Sequence, residues 1–428
     1  MRVAIEQESS KLSFLLNFEE EDNEKPSERF GIGERQASII AEGFDLSDVH
    51  PDLIALSAIL IASPFVGKEL KIPFPVSERF ILKANSVLSK YKLVVESESS
   101  PVPPRNPPPR SRPGLAYSGG VDSTAAIAVM PGSTIPIFMN RPMRDGSLYN
   151  SEAALASCDV LSEIGYRVER VWCDLEYVRD PVGFPTDVAN AVPAIILADK
   201  LGLGSISFGT VLESAYGTGH ENYRDYTNGS HWTFFSSLFS GAGLTMALPI
   251  AGVSEVGTAI IAHKSPTGTA AQSCIRGTWG EPCQKCWKCF RKSLLSEALG
   301  QTKIGNKHLT GMMGSKEVRG KLSALPISHE NVVAFSMGRI ECANFPKLDL
   351  LSKRVADLGR LKFLTKWYSP SSSLIPESWR SECIEKIMRY MKPMSLKEER
   401  LIEGWDMREF LLSEETITSH KELVSKLS

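Results

Sequence analysis

Short apolar runs alternating with helix-spaced stretches dominate the middle of the chain. Strand-like runs at 114–117, 134–139, 167–173, 205–208 and 244–248 are separated by helical patterns over 124–130, 147–164, 187–201, 232–239 and 258–262. Repeated strand–helix units of this kind predict a parallel sheet covered by helices on both faces, over residues 114–300. The flanks read differently. A strand at 11–18, an acidic solvated stretch at 19–29, a helix at 51–62 and strands at 70–74 and 91–95 around a helix at 76–89 predict a small N-terminal α+β domain over 1–97. Helices at 354–367, 377–391 and 396–412, broken by Pro370, Pro376 and Pro393, predict a helical C-terminal extension over 301–428. Between the first two regions, residues 98–113 are proline-rich and read as a solvated linker or strap carrying Arg105, Arg110 and Arg112.

One turn in the middle region carries chemistry. The apolar run ending at Ala116-Tyr117 leads into Ser118-Gly119-Gly120-Val121-Asp122-Ser123, and a helix follows. Strand, glycine turn and helix N-terminus together make an anion site: backbone N–H groups converge and the helix dipole adds positive charge. Ser118 and Ser123 add hydroxyls, and Asp122 is suited to hold Mg²⁺ or to orient the turn.

Composition narrows the class. Hydrophobic residues make up 42% and charged residues 23% of the 428, with a net charge of −2, so the chain is globular and has no overall basic field for nucleic acid. The most apolar stretch, 53–66, is interrupted by Pro64 and is too short for a membrane span, so a buried helix is expected. No N-terminal segment has a signal-peptide layout, and a reduced, cytoplasmic protein is expected. Of eight cysteines, four form a cluster: Cys274, Cys283, Cys286 and Cys289 fall as C-x8-C-x2-C-x2-C. Four thiolates at that spacing fit a closed tetrahedral Zn²⁺ site, with an iron–sulfur cluster as the rival. Cys158, Cys173, Cys342 and Cys383 are scattered and read as buried thiols.

The two signatures, in this order and at this separation, resemble the 7-cyano-7-deazaguanine synthase family of PP-loop N-type ATP pyrophosphatases. The resemblance covers about 114–300 and includes Ser273-Cys274 at the start of the cysteine site and Arg291 after its end. It implies an adenine nucleotide alpha hydrolase-like α/β fold and an ATP-dependent ligase that forms a C–N bond. A carboxylate would be adenylated with release of pyrophosphate and then converted by ammonia to an amide and a nitrile. Ser118, Asp122 and Ser123 become candidate catalytic residues. Ser118, Gly119, Gly120, Val121, Asp122, Ser123 and Met139 become candidate nucleotide contacts. The implied cofactors are ATP, Mg²⁺ and Zn²⁺. The implied partners are a deazaguanine-like carboxylate and an ammonia donor, with no membrane. The outer regions suggest a divergent member that engages a protein partner, for example in a defence-associated pathway, and a homodimer is compatible. An amide ligase or a nucleic-acid thiolation enzyme would use the same turn, and a non-catalytic nucleotide-binding scaffold would retain only binding.

The sequence also departs from the family. Where members place a lysine after a proline at a strand end, this chain has Pro249 followed by Glu255, leaving Lys264 as a substitute. Glu213, on the matching segment 208–214, could read a purine-like edge or act as a cap. His220, Glu221, Tyr223, Arg224 and Asp225 crowd a loop that is either a lid or plain surface.

Overall fold

A computed structural model describes residues 1–97, 102–144, 149–358 and 361–427. Residues 147 and 148 of the expected helix, four residues of the proline-rich stretch, and Arg360 lie outside the described residues. The protein is mixed α/β, built on one ten-stranded, mostly parallel sheet with helices packed against it. In chain order the strands are β1 (Arg2–Glu8), β2 (Lys11–Asn17), β3 (Gln36–Ile40), β4 (Glu69–Ile72), β5 (Lys92–Val95), β6 (Arg112–Tyr117), β7 (Ile135–Asn140), β8 (Glu169–Cys173), β9 (Leu203–Ser207) and β10 (Thr245–Ala247). Across the sheet they run β10-β9-β6-β7-β8-β3-β2-β1-β4-β5.

The half from β10 to β8 is wholly parallel. Counting its strands from β6 in chain order gives a spatial order of 3-2-1-4-5, so the order reverses between β6 and β9. Parallel sheets of this kind open a crevice at the carboxyl ends of the strands beside the reversal. The sequence leaves Ser118-Gly119-Gly120 there, straight after β6.

The helices used below are α1 (Pro51–Ala62), α2 (Val121–Val129), α3 (Glu255–Lys264), α4 (Trp287–Ala298), α5 (Glu330–Met337) and α6 (Glu377–Tyr390). α1 is the expected buried helix. Pro51 opens it, His50 caps Asp52 N, and every residue from Asp52 onward is buried. α2 is apolar on most sides and so needs cover on most sides. β6 residues Leu115 and Tyr117, α3 residue Ile261 and α6 residues Cys383 and Ile387 supply it in one apolar cluster.

Both flanking regions are built onto the central sheet. Residues 1–97, expected to stand apart, supply five strands to the same sheet. β3 pairs antiparallel with β8 through Ile39 opposite Cys173 and Ile40 opposite Trp172. The physical reason is the edge of β8, whose backbone groups would otherwise lie unpaired. The C-terminal region is likewise built onto the sheet: Leu248 N donates to Leu374 O at 3.0 Å and Tyr368 N to Gly252 O at 2.9 Å. The expected helix over 354–367 is absent as such. The helix Pro346–Val355 ends there, and short 3₁₀ turns follow among the described residues.

The proline-rich stretch is a strap rather than a free linker. Arg105 is 3% exposed. Its guanidinium donates to Asp199 Oδ1 at 2.7 Å, Gly243 O at 2.7 Å and Leu203 O at 2.9 Å, tying the strap to the β9 side of the sheet. Removing a buried guanidinium strands the groups it served. Arg105→Ala should therefore lower stability by about 3 kcal/mol. Exposed Arg110→Ala should change it by less than about 0.5 kcal/mol. Urea unfolding of the two variants checks the contrast.

Candidate active site and metal centre

The turn after β6 is shaped by its two glycines. Gly119 has φ +74, a conformation that disfavours side chains, and an added Cβ would stand 3.0 Å from Ser157 Oγ. Ser118 Oγ and Ser123 Oγ lie 3.1 Å apart, and Ser123 Oγ also donates to Gly120 O at 3.1 Å. The two serines thus close the turn across the first turn of α2. Gly209, just past β9, comes so close that an added Cβ would lie 3.1 Å from Ser123 N. The N–H groups of Gly119 and Gly120 donate to no acceptor among the described residues.

A partly buried charge cluster, centred on buried Glu255, stands against this turn. Asp122 Oδ1 accepts from Thr258 Oγ1 at 2.6 Å and from Lys292 Nζ at 3.3 Å. Lys292 Nζ also lies 2.7 Å from Glu255 Oε1, and Arg291 Nε lies 2.9 Å from Glu255 Oε2. Arg291 in turn faces His329 Nδ1 at 3.3 Å. Burial would raise the Glu255 carboxyl, but Lys292, Arg291 and His329 outweigh it and hold the group at about 2. Burial works against the Lys292 ammonium too, yet Asp122 and Glu255 keep its pKa above the usual lysine value. Burial and the adjacent Arg291 push His329 down to about 4, so it is neutral at pH 7.

Glu213 has the capping role. It is 1% exposed, accepts from Glu255 N at 2.9 Å at the start of α3, and takes Asn331 Nδ2 at 3.3 Å. Burial, then the Glu255 charge, push its carboxyl up to about 8. Lys264 lies away from Glu255: it ends the helix that Glu255 begins, about 14 Å along the axis. Met139 is buried in the apolar core near the end of β7. The loop around His220 is held by the C-terminal region: Trp405 Nε1 donates to His220 O at 3.1 Å, Tyr223 N to Trp405 O at 2.7 Å, and Met407 N to Glu221 O at 2.7 Å.

The four clustered cysteines converge. Their Sγ atoms all lie within 4.8 Å of one another, and Cys283 Sγ and Cys289 Sγ are 3.8 Å apart. A tetrahedral Zn²⁺ with bonds of about 2.3 Å needs sulfurs about 3.8 Å apart, so the residues fit the ion. Gln284 takes φ +55 in the knuckle between Cys283 and Cys286. Cys286 caps α4 by accepting from Cys289 N at 3.4 Å. The scattered thiols are buried and inert: burial pushes Cys158 and Cys383 up to about 12, Cys342 up to about 11, and Cys173 higher still.

The metal segment and the turn are joined. Val121 N donates to Ser273 Oγ at 3.3 Å and Gln272 N to Gly119 O at 2.8 Å. Lys292 stood beside Arg291 in the sequence, three residues past Cys289 and on the same face of α4 as Cys289, but sequence alone gave it no role. Thr258, His329 and Asn331 left no signal, since only the fold brings them to the cluster.

The fold and site thus define a mixed α/β protein in which a glycine turn, an ion-paired cluster and four cysteines able to hold a metal ion meet. Among the described residues no helix is long and apolar enough to cross a membrane. A family model described as a family of unknown function, DUF6395, matches residues 234–406, less than half of the chain. It spans the metal centre and Lys292 but not the glycine turn. No curated protein and no solved structure matches the chain.

Two outcomes follow from these geometries. Purified protein should carry about one zinc, and Cys286→Ser should lose it together with cooperative unfolding, as read by metal analysis and thermal melting. Between pH 6.5 and 8 the folded state alone retains the Glu213 proton, because the unfolded carboxyl titrates near 4.5. Stability contributed by that proton is present at low pH and is lost as pH rises toward 8. Wild type should lose about 1–2 kcal/mol more than Glu213→Gln across this window, measured by urea unfolding at both ends.

Proposed function

We propose that the chain is an ATP-dependent ligase of the PP-loop type, resembling 7-cyano-7-deazaguanine synthase. It adenylates a carboxylate with release of pyrophosphate, and ammonia then yields the amide or nitrile. The observation that carries this reading is the placement of Ser118-Gly119-Gly120, with two unengaged N–H groups, at the order reversal of a 3-2-1-4-5 parallel sheet. That is where a departing anion is best stabilised by fixed donors. Ser118 and Ser123 add hydroxyl donors to the same anion.

Asp122 suits Mg²⁺, because its Oδ2 has no hydrogen-bond partner among the described residues. The ion's chemistry there is to spread the charge of the phosphates. The four-thiolate zinc site has no open coordination position, so it holds structure. A cavity of about 480 Å³ flanks Gly209 through Phe208 and Thr210. Val188, Tyr226 and Met246 form apolar walls, and an Asp187–His231 pair at 3.2 Å sits on its rim, which suits a planar heteroaromatic acid. Sulfur relay is disfavoured by the raised pKa values of all four thiols outside the metal site.

Pyrophosphate release from ATP should be stimulated by 7-carboxy-7-deazaguanine in the presence of ammonium. Ser118→Ala and Asp122→Ala should each lower kcat/KM by about 100-fold. No acid-stimulated release from folded, zinc-loaded wild type would discard this function.

A further inference from the structure

Lys292 is the cation for which the sequence at Glu255 left a vacancy. It lies on α4, the helix that starts at the metal ligand Cys286. Its ammonium has three donors, and two of them are directed at Glu255 Oε1 (2.7 Å) and Asp122 Oδ1 (3.3 Å). With Val121, the first residue of α2, Lys292 also lines a cavity of about 260 Å³ beside the turn. The ammonium is therefore tied to the first turn of α2 through Asp122 and borders a cavity, rather than lying inside a closed pair.

Arg291 cannot take this part. Its Nε donates to Glu255 Oε1 at 3.1 Å and lies 2.9 Å from Oε2, and its other arm faces His329. Moving it would leave Glu255, 1% exposed, without its fixed partner. Lys292 can swing away from Asp122 while Arg291 keeps Glu255 neutralised. A flexible stem with a compact charge suits such a motion. The formal charges balance without ligand: Asp122 and Glu255 against Arg291 and Lys292, with His329 neutral. An arriving polyphosphate upsets that balance and attracts the Lys292 ammonium.

We propose that Lys292 is a catalytic residue that binds the β- and γ-phosphates of ATP and stabilises the departing pyrophosphate, with Glu255 and Arg291 as the pair that positions it. The assignment rests on the ATP-cleaving reading of the same site. In the step it serves, a substrate carboxylate oxygen bonds to the α-phosphorus and the bond from that phosphorus to the bridging oxygen breaks. Pyrophosphate leaves with the electron pair. Lys292 donates hydrogen bonds to it and keeps its protons. Asp122, released from the ammonium, would then be free to hold Mg²⁺, whose chemistry there would be to spread the phosphate charge.

The test is calorimetric binding of Mg·ATP, AMP and inorganic pyrophosphate to zinc-loaded protein. Lys292→Met should weaken pyrophosphate and Mg·ATP by about 10- to 100-fold, leave AMP within twofold, and leave the zinc content unchanged. Lys292→Arg should recover most of the loss. If Lys292→Met does not fold because Glu255 and Asp122 lose their counter-charge, the double variant Lys292→Met/Glu255→Gln removes charge of both signs and takes its place. A folded variant without Lys292 that binds pyrophosphate as tightly as wild type overturns the assignment while leaving the ligase reading intact. Wild type that binds neither Mg·ATP nor pyrophosphate overturns both.

Discussion

A carboxylate buried as deeply as Glu255 is tolerable only with a counter-charge at contact distance. Arg291 and Lys292 meet that requirement, and much of the local structure follows from it. α4 must lie where consecutive cations can reach the first residue of α3. α2 must begin close enough for Asp122 to share the ammonium. His329 and Asn331, at the start of α5, must pack over the far side of the cluster. Breaking one member of such a set leaves an unpaired buried charge at a cost of about 3–5 kcal/mol, so the three helix starts hold one another in place.

The four-cysteine cluster sits at the start of α4. Cys286 caps the helix, Cys289 lies on its first turn, and Arg291 and Lys292 follow on the next. The segment leading into Cys274 is hydrogen-bonded to the glycine turn through Gln272 and Ser273. With a metal ion bound, four thiolates there would tie the turn to the cations that face it.

The outer regions complete the frame. The N-terminal strands cover the edge of β8 and carry the sheet onward. The C-terminal region seals the opposite side, with α6 over α2 and residues 405–407 pinning the loop around His220. That loop is held by backbone hydrogen bonds from a segment nearly two hundred residues away in the chain. Its position is thus a property of the whole protein rather than of the loop's own composition.

Local rules were enough for the parts of this protein that depend on local rules. The strand–turn–helix at 114–130, the buried helix α1 and the cysteine knuckle each carry their signal within a few residues, in apolar runs, glycine placement and C-x2-C spacing. The sequence also located Glu255 as an oddity. It left open what neutralised that charge, because neutralisation is a matter of distance in space, and Lys264 was nearer in the chain than Lys292. Only the tertiary structure placed Lys292 against Asp122, turned Glu213 from a possible reader of substrate into a cap, and buried Arg105 within a stretch that composition alone marks as solvated. Burial and pairing are set by which elements pack together, and that choice rests on the summed contacts of distant segments, which no window of sequence contains.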